Sequence, residues 1–249
     1  MVEPRHLDNR RPTAVIFDFD DTLATMAPFE RDVAVPLISV FLESKGHPPA
    51  EVASWGRAYL RSGGGMLTSQ PRMAAAFGAC SDDELAIVRA LLKLPSAAAA
   101  LPGTQHVLSH LRRVGVPIAI ASNKADQLLH RDLTKSGLGT LIGVVVSSSD
   151  VGGVPKPDPA LVIRAMDELG IPAEQRDSVI YVGNRPHDVA AAIAAGVRPW
   201  LVGFGHPRNR IDPSLQGVLE QPGVEYFSTP QSLNRRLRTL TAPGLAALG

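Results

Sequence analysis

Thr13-Ala14-Val15-Ile16-Phe17-Asp18-Phe19-Asp20-Asp21-Thr22-Leu23 is the stretch on which the reading of the fold turns. Its first five residues are a short apolar run rich in β-branched side chains, with no polar alternation. That is the pattern of a strand buried on both faces. The run stops abruptly at Asp18. The same word recurs along the chain: Val116–Ala121 ends in Ser122-Asn123, Gly143–Val146 in Ser147-Ser148-Ser149, and Ser178–Val182 in Gly183-Asn184. Val197–Val202 is a fifth run, and Val224–Phe227 a short sixth.

Helical patterns lie between these runs. Thr104–Arg113 carries Val107, Leu108 and Leu111 at helical spacing, with Gly115 as a stop. Ala125–Lys135 precedes Gly137, Pro157–Leu169 precedes Gly170, and His187–Ala195 precedes Gly196. Strands alternating with helices predict βαβ crossovers and a doubly wound parallel sheet, hence an α/β, Rossmann-like core. Ligands of such sheets bind at the carboxyl ends of the strands, where this sequence places its polar residues.

One segment breaks the rhythm. Asp18 and Ser122 are separated by far more chain than the roughly 30 residues of a plain βαβ unit. The extra chain reads as helices over Phe29–Lys45, Ala50–Arg61, Gln70–Phe77 and Asp82–Leu94, the last with Ser81 or Asp82 as its cap and Glu84 close behind. The expected organisation is a loose tail over residues 1–12, a core of residues 13–24 and 101–249, and an inserted α-helical cap over residues 25–100. The Ala97–Ala100 stretch carries no pattern of its own.

Composition narrows the class. The 249 residues are 45% hydrophobic and 20% charged, which is globular rather than disordered. Lys plus Arg is 25 and Asp plus Glu 24, a net charge of +1. Nucleic acid or an anionic membrane surface needs a basic excess, so neither is an expected partner. Cys80 is the only cysteine, which excludes an internal disulfide or a Cys-rich zinc module. Neither a leader's apolar segment nor a run long enough to span a bilayer is seen, and the expected location is the cytoplasm.

The polar stations fall in order. Asp18 and Asp20, spaced two apart on a chain leaving a strand, are placed to point into one cleft. Ser122 and Asn123 end the second strand, Lys156 stands just before Pro157-Asp158-Pro159, and Gly183-Asn184-Arg185-Pro186-His187-Asp188 leaves the fourth strand for a helix. Singly, each has an ordinary explanation: an acidic turn, a helix cap, a solvated lysine, an acid favouring a helix dipole. Together they form a carboxylate set without imidazole or thiolate partners, which suits a hard cation such as Mg²⁺. A hydroxyl and an ammonium alongside suit phosphoryl oxygens. The chemistry indicated is phosphoryl transfer with a carboxylate nucleophile.

These motifs, over about Thr13 to Phe204, resemble the haloacid dehalogenase-like hydrolase superfamily, in particular its members with a helical cap inserted after the first motif. The resemblance implies a Mg²⁺-dependent phosphatase acting on a small-molecule phosphate monoester through an aspartyl phosphate. It implies Asp18 as nucleophile and Asp20 as acid and base, with Asp20 also offering its backbone carbonyl to Mg²⁺. Ser122 and Asn123 are implied on the phosphoryl group, Lys156 as its neutralising cation, and Asp188 with Asn184 on the metal. The fourth motif departs from the family's usual Gly-Asp: Asn184 supplies a neutral oxygen and removes one negative charge.

Residue 20 separates chemistries within that superfamily. Dehalogenases and phosphonate-cleaving relatives lack the second Asp, so its presence favours a phosphatase; a phosphomutase shares the same Asp pair, and a non-catalytic protein on this fold is the remaining alternative. Lys45 and Lys93 in the insert read as surface residues. Arg72, with Arg61 and the Gly63-Gly64-Gly65 turn, is a candidate for contacting the leaving group. Arg185 and His187 are expected at the rim of the site. Trp55 and Tyr59, four apart, are expected to pack together. Cys80 reads as a small buried residue, and Arg235, Arg236 and Arg238 as a solvated face. The chain is expected to be a monomer or homodimer.

Overall fold

The computed structural model describes residues 8–61, 76–92, 98–204 and 215–243. Its main sheet has the order β5-β4-β1-β6-β7-β8, and every neighbouring pair is parallel. The strands are β1 (Ala14–Phe17), β4 (Ile118–Ala121), β5 (Val144–Val146), β6 (Val179–Gly183), β7 (Arg198–Val202) and β8 (Glu225–Phe227). The chain winds from β1 outward through β4 to β5, then returns to β1's other edge for β6, β7 and β8. The reversal is a topological switch point, and β1 stands at it with Phe17 opposite Ile120 on one side and Val182 on the other.

All four residues of β1 and of β4 are buried, as a strand covered on both faces requires. One face packs on α7 (Ala160–Glu168) and α8 (Pro186–Ala194), through Leu161, Val162, Ala165, Met166, Ala191 and Ala192. Fully burying a side chain the size of Met166 contributes roughly 1.5–3 kcal/mol. The core also includes α5 (Thr104–Arg113), α6 (Asp126–Ser136), the short α9 (Gln216–Leu219) and α10 (Pro230–Leu240). Helix α7 starts later than its periodicity predicts. Pro157 and Pro159 have no N–H to give, and the Asp158 carboxylate receives the Ala160 N–H at 2.9 Å instead.

Residues 25–99 form a second compact unit, and the rest of the chain the first. The second unit holds α1 (Ala27–Phe29), α2 (Val35–Ser44), α3 (Pro49–Arg61) and α4 (Asp82–Leu92). Its own core gathers Ile38, Leu42, Val52, Tyr59, Phe77 and Val88. The single helix expected over Phe29–Lys45 is interrupted by a π-helical stretch, Glu30–Ala34, in which the Val35 N–H reaches the Glu30 carbonyl. Pro36 is the cause: it lacks an N–H and its ring crowds the preceding turn. Gly56 is set by packing, since a Cβ there would stand 2.8 Å from Val35 Cγ1. Ser81 and Glu84 form the capping box of α4, the Ser81 N–H reaching Glu84 Oε2 at 2.8 Å and the Glu84 N–H reaching Ser81 Oγ at 3.3 Å.

Several expectations are corrected. Trp55 and Tyr59 take different partners: Trp55 meets the His47 ring edge-on at 5.3 Å, whereas Tyr59 lies against Phe77 and donates to Glu30 Oε1 at 3.0 Å. Ala99–Ala100 is a strand, β3, paired with β2 (Ala24–Thr25) in a two-stranded sheet. Residues 8–11 are hydrogen-bonded down rather than loose. Arg236 takes the Asp8 carbonyl and Asn9 Oδ1, both at 2.9 Å, and pairs with Glu225, so it does not belong to a solvated face. Arg10 binds Asp8 and Asp177, and Arg11 donates to the Val114 carbonyl at 2.7 Å. Arg72, the Gly63–Gly65 turn, Lys93 and most of the helix expected over Gln70–Phe77 lie outside the described residues.

Candidate active site

The polar stations lie where the sheet ends. Asp18 follows β1 directly, and its N–H is held by the Val182 carbonyl at 2.8 Å, the last rung between β1 and β6. Beyond it the chain turns sharply. The Phe19 carbonyl is approached by the N–H groups of Thr22, Leu23 and Ala24, while Asp21 takes a left-handed conformation at φ 57°. Asp tolerates that region better than most residues. The Thr22 hydroxyl reaches back to Asp18 Oδ2 at 3.4 Å.

Lys156 is the centre of the arrangement. Its side chain is fully buried, and Nζ lies 2.7 Å from Asp18 Oδ1 and 2.7 Å from Asp188 Oδ1. It also donates to the Ala121 carbonyl at 3.1 Å and to the Tyr181 hydroxyl at 2.8 Å. Two carboxylates and one ammonium leave the buried group with excess negative charge. Burial pushes the Asp18 carboxyl up, to about 7, against the pull of Lys156, and the Asp188 charge adds to the rise. At Asp188 burial also opposes charge, but Lys156, His187 and the Arg185 N–H together outweigh it and the carboxyl is held below its ordinary value. Burial likewise opposes the charge on Lys156, but Asp18 and Asp188 outweigh it and hold the ammonium protonated.

Asp188 is fixed by its own loop. Oδ2 receives the N–H groups of Asn184 at 3.1 Å and Arg185 at 3.0 Å. Gly183 makes this possible, because a Cβ there would fall 2.4 Å from both Cβ and Cγ of Asp188. Asn184 is buried, and its side-chain Nδ2, a donor, has no hydrogen-bond partner among the described residues. An unsatisfied buried amide is rare and calls for a ligand or water.

Asp20 turns toward a second lysine. Lys124 Nζ lies 2.7 Å from Asp20 Oδ1 and 2.7 Å from Asp132 Oδ2, and Asp132 is completely buried on α6. Arg131 closes this network on Asp132 Oδ1 at 2.9 Å. Ser122 is buried and its Oγ accepts the Lys124 N–H at 3.2 Å, while Asn123 Oδ1 accepts the backbone N–H of Lys156 at 2.8 Å. Arg185 is buried with its guanidinium 3.8 Å from Asp21, and His187 Nε2 is 3.8 Å from Asp188 Oδ1.

The structure therefore joins Asp18, Lys156 and Asp188 in direct contact, with Asn184 on the same loop. Asp20 is joined to Lys124, and Ser122 and Asn123 brace the two lysines' segments. Asp18, Asp20 and Asp188 do not close into a cage. Among the described residues, only His47, Cys80 and Glu84 place three such ligand atoms within 4.8 Å of one another. The donor chemistry around Asp18 nonetheless fits a hard cation: the acidic ligands are carboxylate oxygens, and among the described residues Asp18 Oδ2 is approached only by the Thr22 hydroxyl, at 3.4 Å.

Three functional candidates escaped the sequence reading. Tyr181 touches Lys156, Ala121 and Asp188, and its signal is a hydroxyl inside an otherwise apolar strand. Asp132 is an acid beside Leu133 and three residues after Leu129 on the buried face of its helix. Lys124 directly follows Ser122-Asn123. A surface groove of about 340 Å³ lies at the opposite, amino ends of β4 and β5, lined by Arg112, Pro117 and Leu141 among others, with no acidic residue.

Buried Asp18, Lys156 and Asp188 at the switch point of a doubly wound parallel sheet define an α/β protein with a charged site at the carboxyl ends of its strands. The chain belongs to the haloacid dehalogenase-like hydrolases, whose family model matches residues 12–196. It is similar to the phosphoglycolate phosphatase of Pseudomonas savastanoi pv. phaseolicola, at 30% identity over 205 residues covering 80% of this chain and 72% of that one. The phosphoglycolate phosphatase of Rhodospirillum rubrum is 31% identical over 209 residues, covering 80% and 83%. Among solved structures, a HAD family hydrolase from Deinococcus radiodurans R1 with bound phosphate and sodium superposes with a TM-score of 0.68 at 24% identity, covering 92% of this chain and 96% of that one. The chain is a phosphatase of its family. Among the described residues no helix is long and apolar enough to cross a membrane.

Proposed function

We propose that this phosphatase hydrolyses a small-molecule phosphate monoester through an aspartyl phosphate on Asp18, with Mg²⁺ as cofactor. The observation that carries the reading is the buried Lys156 ammonium lying 2.7 Å from both Asp18 and Asp188. An anionic carboxylate attacks an anionic phosphoryl group only where positive charge is already in place. Lys156 supplies that charge, and its buried position keeps it from being screened by solvent.

Asp18, the backbone carbonyl of Asp20, Asn184 and Asp188 would hold the metal directly or through water. Bound there, Mg²⁺ would neutralise phosphoryl charge during transfer. Asp18 attacks phosphorus, and the bond to the leaving oxygen breaks. Asp20, partly exposed, gives that oxygen its proton, then takes one from the water that cleaves the acyl phosphate and regenerates Asp18. Lys124 sets the direction of the Asp20 carboxylate by holding Oδ1. Ser122 binds a phosphoryl oxygen, and Asn123 keeps the Lys156 segment in place. The protein works in the cytoplasm.

Both named relatives are phosphoglycolate phosphatases, which makes phosphoglycolate the first ester to test. The experiment is phosphate release from a panel of esters including phosphoglycolate and para-nitrophenyl phosphate, with Mg²⁺ varied and Asp18→Asn as control. Mg²⁺-dependent release by the native chain alone is the expected result. Release that survives Asp18→Asn, or no release from any ester, overturns the mechanism.

A further inference from the structure

The helical unit holds a second constellation, distant in sequence from every residue of the phosphoryl site. His47 lies between α2 and α3, Cys80 just before α4, and Glu84 in the first turn of α4. One nitrogen, the sulfur and one carboxylate oxygen of these side chains all lie within 4.8 Å of one another. All three residues are half-buried.

The geometry within the group is already close to that of ligands. His47 Nε2 and Glu84 Oε1 are 3.1 Å apart. In a tetrahedral site with bonds of about 2.0–2.2 Å to nitrogen and oxygen, two ligand atoms stand roughly 3.4 Å apart. Two of the ligands are also oriented from behind. Glu84 Oε2 receives both the N–H and the hydroxyl of Ser81, at 2.8 and 3.0 Å, which leaves Oε1 facing His47. The His47 ring is met edge-on by Trp55 at an interplanar angle of 72°. Hydrogen bonds like those on Glu84 Oε2 orient ligating carboxylates in metal sites.

A capping box accounts for the Ser81–Glu84 contacts, and a hydrogen bond accounts for His47 against Glu84. Neither calls for a thiol at the third corner. Imidazole, thiolate and carboxylate together suit a borderline cation far better than Mg²⁺, which takes oxygen ligands.

We propose that His47, Cys80 and Glu84 bind a borderline divalent cation of the Zn²⁺ type, with a water in the fourth position. The ion fastens the α2–α3 turn to the head of α4. On binding, the Cys80 thiol releases its proton to solvent and sulfur bonds the metal as thiolate, while His47 binds through Nε2 as the neutral ring. No electron changes hands, and the site is independent of the phosphatase mechanism.

The test uses the full chain, stripped with a chelator and held in excess Mg²⁺ so that any all-oxygen site is occupied. Titration with Co²⁺ is expected to produce a thiolate-to-cobalt charge-transfer absorption that saturates at one equivalent and is bleached by Zn²⁺. Cys80→Ser abolishes it, and His47→Gln weakens Co²⁺ binding at least tenfold. Zn²⁺ raises the unfolding temperature of the native chain and not of Cys80→Ala. No such absorption in the native chain, unchanged affinity in His47→Gln, or equal Zn²⁺ stabilisation of Cys80→Ala overturns the proposal. If the cysteine variants fail to fold, His47→Gln decides it.

Discussion

The two compact units bury different things. At the carboxyl ends of the core strands, Asp18, Lys156, Asp188 and Tyr181 are buried together, and the ion contacts replace apolar packing. In the helical unit the centre is apolar, with Phe77, Leu42 and Ile38 almost wholly enclosed. Buried charge is costly unless fully paired, and replacing such groups by well-packed apolar residues is often neutral or stabilising. The core therefore keeps its charges at a position where stability alone would favour hydrocarbon. That pattern marks chemistry, whereas the described centre of the helical unit is ordinary apolar packing.

Substitutions on each side sharpen the contrast. The largest expected effect is on turnover: Asp18→Asn lowers kcat by at least about 10⁴-fold, as loss of a nucleophile does elsewhere. The circular dichroism spectrum stays native. Lys156→Met comes next, with kcat reduced by roughly 10²–10³-fold. It also leaves Asp18 and Asp188 together without their cation, a destabilisation of about 3–5 kcal/mol measurable by urea unfolding. A stability unchanged within 1 kcal/mol (roughly the scatter of a surface substitution) would show that the charges are not paired as described.

Phe77→Ala tests the other side. It costs roughly 3–5 kcal/mol, and hydrogen exchange is expected to rise in α2, α3 and α4 while β1, β4 and β6 remain protected. Asn184→Asp restores a charge at the core site and is expected to tighten Mg²⁺ about tenfold by calorimetry, since carboxylate count tunes affinity for hard cations. Equal affinity would mean that Asn184 lies away from the ion.

The smallest effect concerns His110, buried on α5 and 2.9 Å from the Thr241 hydroxyl. Burial, with Arg238 and Arg113 nearby, lowers its pKa from 6.5. The unfolded chain then binds the proton more readily. Stability is fully present above pH 6.5 and falls as the pH drops below that value toward the lowered folded pKa. Urea midpoints between pH 7 and 5 measure it, and His110→Gln is expected to flatten that part of the profile.

The sheet was legible because β1, β4, β5 and β6 are apolar runs followed at once or one glycine later by a polar residue, and this also revealed Asp18, Ser122 and Asn184. Lys156 and Asp188 were legible from their places at the helix starts beyond. Tyr181 was hidden by the same rule, since its hydroxyl rides inside an apolar run. Asp132 was hidden because a helix of charged residues reads as a solvated face until packing shows which side is covered, and Lys124 because a lysine in a connecting turn reads as solvated. In the helical unit the unread features were local: Pro36 widening a turn, and rings finding partners beyond their i+4 neighbours.

The hydrogen bond from the Leu101 N–H to the Leu23 carbonyl, at 2.9 Å, has a consequence for how this protein tolerates change. With Thr104 Oγ1 on the same carbonyl at 3.0 Å, the core clasps the two points between which the helical unit is inserted. Seen from the core, residues 25–99 are one long loop with its ends already joined. Closing a loop costs only about 0.6 kcal/mol more for each doubling of its length. Inserts of very different size between Leu23 and Leu101 are therefore expected to leave the stability of the core almost constant.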